Sequence, residues 1–328
     1  MDVELLSRLS GAKLDAWKEF LVSAGLEPDM QVQRTVLIWE NGQLIATASR
    51  QDNLLKCIAV DDAHQGEGLT ATLVTQLRQD AFQAGYSHLF LYTKPKNEAM
   101  FSSLFFYPVA QTNDVLLMEN KKDGIQTFLN TLPAGSHSGI IGAAVMNCNP
   151  FTNGHKYLIE TAATQCDHVY IFVLSEDKSH FSARDRLTMV QLGTAHLSNV
   201  TVLPTGPYLI SSATFPTYFL ADRESAETAH CLLDIEIFCK YFVPRLGITR
   251  RYVGTEPLSP ITAQYNEALC KHLPGNGIEL RQIPRLEQEK TPVSASAVRA
   301  CLAQGDMEAL RTLVPETTFN YLQEHCLR

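Results

Sequence analysis

From residue 139 onward, short apolar runs alternate with amphipathic stretches, and this alternation constrains the fold more than any other feature of the chain. The apolar runs have the length and β-branched content of strands, and the stretches between them have helical spacing. A repeated strand–helix order predicts a parallel sheet with right-handed crossovers. The predicted strands are 139–146, 168–174, 199–204, 249–253 and 278–283, accompanied by a long helix at about 224–241 and small helices from 297 to 328.

The stretch before residue 122 has a different pattern. Two β-rich runs, RTVLIWE at 34–40 and QLIATAS at 43–49, flank Asn41-Gly42. Asn-Gly between such runs is a strong hairpin signal, because both residues accept the left-handed conformation of a tight turn. These runs begin an α+β or α/β domain. Its further predicted elements are a strand at 55–60, a helix from Leu69 to Ala84, a strand at 88–93, a short helix near 97–105 and a strand near 115–119.

Length and composition place a boundary between the two patterns. The chain has 328 residues, and at about 150 residues per domain two domains are expected. The stretch KKDGIQTFLNTLPAGSHSG has the composition of a connector, with one short helix expected before Pro133. We therefore predict a first domain at 1–122, a linker at 123–138 and a second domain at 139–328.

Composition and charge argue against several classes of protein. The chain has 27 basic and 35 acidic residues, and neither domain has the basic excess of a nucleic-acid binder. No apolar run reaches the ~18 residues of a membrane-spanning helix. The acidic stretch MDVELLSRLSGAKLDAW does not resemble a secretory signal, so we expect a cytoplasmic protein that binds neither nucleic acid nor membrane. The 8 cysteines form no CxxC pair and the 10 histidines no HExxH pair, so we predict buried thiols and no metal site.

One short motif stands at a predicted strand-to-helix turn. Thr152-Asn153-Gly154-His155 follows the apolar run GIIGAAV and precedes LIETAAT, which has helical spacing. In an open α/β sheet such a turn lies at the carboxyl edge, where ligands bind. The motif is therefore a candidate binding site.

The residues of this turn suit a phosphate. A helix N-terminus presents free N–H groups and partial positive charge. We expect Gly154 to leave space for a phosphate beside the backbone, His155 to donate to a phosphate oxygen, and Thr152 to add a hydroxyl. Together they would favour the charge that builds on an α-phosphate during displacement. The alternative is an ordinary helix start, with Thr152 as the N-cap and His155 on the surface.

A second motif, VSASAVR at 293–299, brings two hydroxyls and a guanidinium into one short stretch. At a helix N-terminus, Ser296 is predicted to cap the helix and Arg299 to face back along its first turn. With Ser294 nearby, such a group would clamp the β- and γ-phosphates of a nucleotide. The alternative is an ordinary N-cap followed by a solvated arginine.

Together the two motifs resemble the (H/T)xGH and (I/V)SxSxxR motifs of the nucleotidyltransferase superfamily. TNGH matches the threonine variant, and VSASAVR matches both serines and the arginine. The resemblance implies a Rossmann-like domain that binds ATP and cleaves it between the α- and β-phosphates.

Other candidates for this ATP site follow the ends of predicted strands. Lys178, in SEDKS, is predicted to reach the phosphates, with an exposed lysine as the alternative. Gly254 and Glu256, in GTEP, are expected to touch ribose or adenine. Asn147, after the first strand of this sheet, completes the predicted ATP-binding set.

Three residues, His155, Lys178 and Arg299, are predicted to be catalytic. Metal ligands are not evident, so Mg²⁺ would arrive with ATP and be held mainly by its phosphates. Two arginines, Arg184 and Arg186, flank a predicted helix start; they either join the site or pair with nearby carboxylates.

In the first domain, the stretch QGEGLT at 65–70 follows a predicted strand and opens a predicted helix. It resembles the Q/RxxGxG/A pyrophosphate loop of GCN5-type N-acetyltransferases, which binds coenzyme A through backbone amides. The resemblance implies an acetyltransferase-like α/β fold in which Gln65, Gly66 and Gly68 bind a CoA-like arm. Thr70 departs from the motif, which prefers glycine or alanine there, and we expect the fold without transfer to amines.

Over nearly its whole length the chain resembles the citrate lyase ligases, also called citrate lyase synthetases. Behind the acetyltransferase-like domain, the resemblance is carried by NPFTNGHKYLIE, EDKSHFSARDRL, ISSATFPTYFL, GTEPLSPITAQYNEAL and TPVSASAVR. It implies an acid–thiol ligase that uses ATP and acetate to acetylate the prosthetic-group thiol of the citrate lyase acyl-carrier subunit. The route would pass through acetyl-AMP and release AMP and pyrophosphate, while the first domain docks the CoA-like arm.

Two other functions remain open at this point. A cofactor-pathway adenylyltransferase would use the same ATP site to transfer AMP to a phosphopantetheine-like substrate. A nucleotide-sensing regulator would bind ATP without turnover.

Overall fold

The computed structural model divides the chain into two compact units, which are described separately. Unit 1 comprises residues 1–127 and 215–233, and unit 2 comprises residues 128–214 and 234–328. The domain boundaries predicted from the sequence stay a prediction. The structure describes residues 1–135, 137–177, 179–209, 215–220, 223–256, 260–288 and 291–325.

Unit 1 is built on a seven-stranded sheet with the order β1-β2-β3-β4-β5-β7-β6. Neighbouring strands are antiparallel, except that β4 and β5 are parallel. The strands are β1 (Asp2–Leu6), β2 (Arg34–Glu40), β3 (Gln43–Gln51), β4 (Leu54–Val60), β5 (Phe90–Thr93), β6 (Tyr107–Gln111) and β7 (Leu116–Glu119), and the helices are α1 (Gly11–Ser23), α2 (Leu69–Gln83) and α3 (Glu98–Ser103). The short helix predicted before Pro133 is present as α4 (Gly124–Thr131).

The hairpin predicted at Asn41-Gly42 is confirmed. Both residues have positive φ, 50° and 79°, and they join β2 to β3 in an antiparallel pair. This is the backbone that a tight hairpin turn requires. Three elements were not predicted from the sequence pattern, namely β1, α1 and β6. β1 and β6 are the two edge strands of the sheet, and a short edge strand carries only weak alternation of apolar and polar residues.

Helix α2 forms the core of unit 1 by packing on β2, β3 and β4. Its buried side chains recur at helical spacing, and Leu73 and Leu77 are fully buried. Full burial of a leucine contributes roughly 1.5–3 kcal/mol to folding. This packing fixes the start of α2, and with it the preceding turn, against the sheet.

Strands β4 and β5 pair only at their beginnings, at Leu54↔Phe90 and Leu55↔Leu91. The pairing of β4 with β3 shifts register between Thr47 and Ser49, and Cys57 on β4 has a φ of 53°. An extra residue of this kind bends its strand and increases the local twist. The carboxyl halves of β4 and β5 therefore separate, and a cleft opens between them.

Unit 2 contains a five-stranded parallel sheet with the order β10-β9-β8-β11-β12. Its strands are β8 (Ile141–Met146), β9 (His168–Val173), β10 (Val200–Pro204), β11 (Arg250–Gly254) and β12 (Glu279–Ile283), and a short hairpin pairs β13 (Glu287–Gln288) with β14 (Thr291–Pro292). The helices are α5 (Asn153–Gln165), α6 (Ala183–Thr194), α7 (Arg223–Ile237), α8 (Val243–Leu246), α9 (Pro260–His272), α10 (Ala295–Gln304), α11 (Met307–Leu313) and α12 (Glu316–His325).

The five strands and the parallel sheet predicted for this half are confirmed, and so are the small helices of the tail. The long predicted helix at 224–241 is also present. It consists of α7 and a π-helical turn, Phe238–Phe242. Strand β9 is buried at every position, as expected of a central strand covered on both faces.

The strand order places a topological switch point between β8 and β11. From β8 the chain moves outward through β9 to β10, and it then returns to β11 on the other side of β8. In open α/β sheets, ligands bind outside the carboxyl ends of the strands at such a point. The stretches that follow β8, β11 and β12 therefore border the expected ligand crevice.

Candidate active site

The TNGH motif starts helix α5 directly after β8, as the sequence predicts. Thr152 is the N-cap: its Oγ1 accepts a hydrogen bond from the backbone N–H of His155 at 3.3 Å. In return, the backbone N–H of Thr152 donates to Nδ1 of His155 at 3.1 Å. This reciprocal cap uses two backbone donors at the helix start and fixes the imidazole ring against it.

The cap also determines which nitrogen of His155 carries the proton. Because Nδ1 accepts from a backbone N–H, the proton of the neutral ring is on Nε2. The ring is half-buried and stacks on Phe151, with centroids 6.0 Å apart. Burial, and secondarily the positive charge of Arg285, lower the pKa of His155 to about 4. At neutral pH the side chain is therefore a neutral donor through Nε2, and the alternative of a surface histidine is wrong.

Gly154 lies where the two motifs meet. A Cβ on Gly154 would stand 3.2 Å from the carbonyl oxygen of Val293 and 3.5 Å from Oγ1 of Thr152. The missing side chain thus lets the segment before α10 approach the N-terminus of α5. The predicted reason for this glycine, access of a phosphate to the backbone, stays a prediction, but close approach of the chain itself already requires a small residue here.

Ser294, rather than Ser296, caps helix α10. Oγ of Ser294 accepts from the backbone N–H of Ala297 at 3.2 Å. The prediction that Ser296 is the cap is wrong, because the helix begins at Ala295 and a cap must precede the first helical residue. Ser296 instead accepts a hydrogen bond from Nη2 of Arg299 at 3.0 Å.

Arg299 links the second motif to the loop of the first. Its Nη1 donates to the carbonyl oxygen of Asn149 at 2.6 Å, while Nη2 contacts Ser296. Arg299 thus faces back along the first turn of α10, as predicted. The alternative of a freely solvated arginine does not fit these two bonds. The structure therefore brings together motifs that are about 140 residues apart in the sequence.

Asn147 and Arg186 hold the loops after β8 and β9 together. Arg186 is fully buried, and its Nη1 donates to Oδ1 of Asn147 at 2.7 Å and to the carbonyl oxygen of Asn147 at 3.0 Å. The same guanidinium donates to the carbonyl oxygens of Phe181 and Glu176. Arg186 therefore binds backbone carbonyls, rather than the carboxylates considered from the sequence, and Oδ1 of Asn147 is already engaged in this structure.

Gly254 and Glu256 lie at the carboxyl end of β11. The carbonyl oxygen of Gly254 accepts from Nδ2 of Asn266 at 2.9 Å. The carboxylate of Glu256, only 4% exposed, forms an ion pair with Arg285, whose Nε donates to the carbonyl oxygen of Thr255 at 2.8 Å. A contact of Gly254 or Glu256 with ribose or adenine stays a prediction, and Glu256 would meet such a ligand with its charge balanced by Arg285.

Arg285 is a cation of this site that the sequence reasoning missed. It follows β12 and lies close enough to His155 to lower the pKa of that histidine. A signal was available, since a basic residue just after the end of a parallel strand lies at the edge where ligands bind. Lys178, the third predicted catalytic residue, lies outside the described residues.

The arrangement has the properties of a site for anionic charge. The N-terminus of α5 supplies backbone donors and partial positive charge, and His155 supplies a neutral N–H. Arg299 and Arg285 add positive charge at the same edge of the sheet. Among the residues that the structure describes, no group of three or more His, Cys, Asp and Glu side chains is placed to hold a metal ion. None of the described helices is long and apolar enough to span a membrane.

The cleft between β4 and β5 in unit 1 has a volume of about 930 Å³. Ligand pockets typically measure roughly 300–1,000 Å³. Gln65, Gly66 and Gly68 lie on its wall, and so does Thr70, the residue that departs from the acetyltransferase motif. Gly66 and Gly68 have φ of 87° and 78°, and Gly68 is the N-cap of α2. The turn thus takes the backbone conformation that favours glycine, at a helix start facing a cavity.

Comparison with known proteins identifies matches for both halves of the chain. Residues 141–322 match the family model "Citrate lyase ligase C-terminal domain", and residues 8–102 match that of the acetyltransferase (GNAT) family. The predicted fold class, an acetyltransferase-like α/β domain followed by a nucleotidyltransferase-like parallel-sheet domain, is confirmed.

Individual relatives cover nearly the whole chain. The [citrate [pro-3S]-lyase] ligase of Escherichia coli (strain K12) is 39% identical over 325 residues, which covers 97% of this chain and 92% of that protein. The corresponding ligase of Klebsiella pneumoniae is 40% identical over 316 residues, with coverage of 94% and 92%. A phosphopantetheine adenylyltransferase of Aliivibrio fischeri is 37% identical over 67 residues, which is 20% of this chain and 42% of that protein.

Proposed function

Since the chain belongs to the citrate lyase ligase family, we propose that it acetylates the prosthetic-group thiol of the citrate lyase acyl-carrier subunit. The reaction consumes ATP and acetate and releases AMP and pyrophosphate. Acetate and the thiol-form carrier are the substrates, and Mg²⁺ accompanies ATP, held mainly by its phosphates.

In the first step, a carboxylate oxygen of acetate attacks the α-phosphorus of ATP. The bond from that phosphorus to the bridging oxygen breaks, acetyl-AMP forms and pyrophosphate leaves. Negative charge grows on the phosphate oxygens during this step, and the N-terminus of α5, Nε2–H of His155 and the guanidinium of Arg299 stabilise it. His155 can do so without giving up a proton, because it is a neutral donor with a pKa of about 4. Lys178 is proposed to assist the leaving pyrophosphate.

The remaining predicted ATP ligands border the same crevice. Gly254 and Glu256 follow β11, and Ser294 and Ser296 start α10. We assign the serines to the β- and γ-phosphates and the two residues after β11 to the nucleoside. Asn147, through its bonds with Arg186, keeps the loop that carries TNGH in place.

In the second step, the thiol of the carrier attacks the acetyl carbon of acetyl-AMP. A thioester forms, AMP leaves with the electrons of the cleaved C–O bond, and the thiol proton passes to solvent. The chemistry requires no nucleophile from the protein, because the attacking groups belong to acetate and the carrier. The cleft of unit 1, with Gln65, Gly66 and Gly68 on its wall, is proposed to bind the CoA-like arm that bears this thiol.

The observation that carries the proposal is the meeting of the two phosphate motifs at the switch point. Gly154 lies against Val293, and Arg299 donates to Asn149. Donors from both motifs therefore surround one position above β8, which is where a displacement at an α-phosphate needs them.

One incubation tests the proposal. The protein is mixed with ATP, acetate and the thiol-form carrier, and the carrier is weighed by mass spectrometry; we expect a mass gain of one acetyl group that depends on ATP. A parallel incubation replaces acetate and carrier with 4′-phosphopantetheine. Pyrophosphate release in that incubation alone would indicate an adenylyltransferase, and ATP binding without pyrophosphate release in either would indicate a nucleotide sensor.

A further inference from the structure

The cleft of unit 1 is partly walled by residues from far along the chain. Tyr218 and Phe219, from the segment 215–220, line the cavity together with β4 and β5. Both side chains are almost fully buried, at 7% and 4% exposure. The segment therefore belongs to the body of unit 1, although it follows β10 in the sequence.

Specific contacts hold this segment in place. The carbonyl oxygen of Tyr218 accepts from the backbone N–H of Glu27 at 2.7 Å. The hydroxyl of Tyr218 donates to the carbonyl oxygen of Tyr92 on β5 at 3.2 Å. The ring of Phe215 packs edge-on against Tyr92, with centroids 5.4 Å apart. The segment is thus bonded on one side to the stretch that follows α1 and on the other to β5.

Tyr218 sits where β4 and β5 stop pairing. The last pair between the two strands is Leu55↔Leu91, and Tyr92 is the next residue of β5. On the β4 side, the hydroxyl lies against the backbone of Cys57, the residue at the bulge. Tyr218 therefore closes the narrow end of the cleft, whereas the glycine turn at Gly66 follows the carboxyl end of β4.

The surroundings of Tyr218 do not suit activation of an amine. The titratable groups that act on its hydroxyl are Cys57 and Asp29. Burial raises the pKa of the Cys57 thiol to about 12, and the Asp29 carboxylate forms an ion pair with Lys56. Neither group is a free base at neutral pH, and an amine needs one before it can attack an acyl carbon.

The other wall of the cleft suits an extended chain with amide groups. Beyond Leu55, β4 pairs with no described strand on the side of β5, so the backbone of Ile58 to Val60 is open to a ligand on that side. An extended ligand can bond to such an edge as an added strand does. Aromatic rings at the closed end offer favourable contacts to sulfur.

We propose that the segment 215–220 is a stop that makes the cleft a one-ligand pocket, in which Tyr218 positions the sulfur end of a pantetheine-type thiol arm. The arm enters past Gly66 and Gly68, its amides bond to the open edge of β4, and its thiol ends against the ring and hydroxyl of Tyr218. The same stop denies a second substrate, such as an amine, access to the sulfur. This inference rests on the proposed function for the identity of the arm, but the closed end stands on unit 1 itself.

The test measures binding of free pantetheine to the full chain by calorimetry, with three variants. We expect Tyr218→Ala to weaken binding by about tenfold or more and Tyr218→Phe, which keeps the ring, to weaken it less. Tyr86→Phe is the matched control, since the hydroxyl of Tyr86 bonds to Asp52 outside the cleft. Acetate-dependent ATP–pyrophosphate exchange should be equal in all four proteins.

Two results would overturn the inference: unchanged pantetheine binding in both Tyr218 variants, or acetyl transfer from acetyl-CoA to a primary amine by the unmodified protein. If Tyr218→Ala does not fold, as judged by its thermal melting, Tyr218→Phe and the amine assay still decide. If the unmodified protein shows no acetate-dependent exchange, the ligase function fails, while pantetheine binding by the variants still tests the stop separately.

Discussion

The α-carbon of Gly154 lies against the carbonyl oxygen of Val293, so close that a Cβ on Gly154 would stand 3.2 Å from that oxygen. This contact joins the start of α5 to the segment that leads into α10. It places the capped imidazole of His155 and the guanidinium of Arg299 around one crevice at the switch point of the parallel sheet. The geometry of the site therefore depends on a glycine, and the first prediction concerns it.

Gly154→Ala should lower both stability and activity. The added methyl group must push the Val293 segment away from α5, and overpacking of this kind typically costs about 1–3 kcal/mol. Gly275→Ala is the control, because no described atom lies within 4 Å of a Cβ at that position. Thermal melting and acetate-dependent ATP–pyrophosphate exchange give the two measurements. Equal behaviour of the two variants would show that the contact between α5 and Val293 does not matter.

His155→Ala should reduce the rate of acetate-dependent exchange by about 10²- to 10³-fold, the usual effect of removing one donor to a developing oxyanion. The affinity for ATP should change much less, because the donor acts mainly in the transition state. His196→Ala, at an exposed histidine that contacts Glu160, provides the control. Full exchange activity in His155→Ala would remove the central residue of the proposed mechanism.

The lowered pKa of His155 predicts a dependence of stability on pH. The group titrates near its ordinary 6.5 in the unfolded chain and at about 4 in the folded protein. Between these values the unfolded state binds more protons, so the free energy of unfolding should fall as the pH is lowered from 6.5 towards 4. His155→Asn, which cannot titrate, should flatten this part of the profile. Urea unfolding at pH 7 and pH 5 measures the effect, and identical slopes in both proteins would contradict it.

Ser294→Ala and Ser296→Ala should differ in kind. Removing the cap at Ser294 should cost about 1 kcal/mol of stability, the typical value for an N-cap. Ser296 makes its contact with Arg299, so its loss should leave stability nearly unchanged and lower the exchange rate by loosening the guanidinium. Chemical denaturation and the exchange assay separate the two effects. A larger loss of stability at Ser296 than at Ser294 would contradict the assignment of the cap.

Gly66→Val and Gly68→Val should impair acetylation of the carrier thiol while sparing acetate-dependent exchange. Both glycines have positive φ and line the cleft of unit 1, so a branched side chain strains the turn and obstructs the arm. Gly85→Val controls for backbone strain, because Gly85 has a φ of 90° and open space around it. Loss of both activities to the same extent would refute separate roles for the two units.

Local sequence determined much of the architecture. Strand–helix alternation predicted the parallel sheet, the Asn41-Gly42 pair predicted the hairpin, and the spacing of TNGH predicted the start of α5. These features depend on neighbours within a few positions, through backbone conformation, helix capping and the period of apolar side chains.

Tertiary structure decided which distant groups meet. Arg285 joins the site of His155, and Tyr218 closes a cleft whose other walls come from the first third of the chain. The choice of Ser294 over Ser296 as the cap followed from where α10 begins, which the packing of its neighbours sets. No local pattern encodes such pairings, because a contact across more than a hundred residues depends on how whole elements pack and on the entropy of closing the intervening chain.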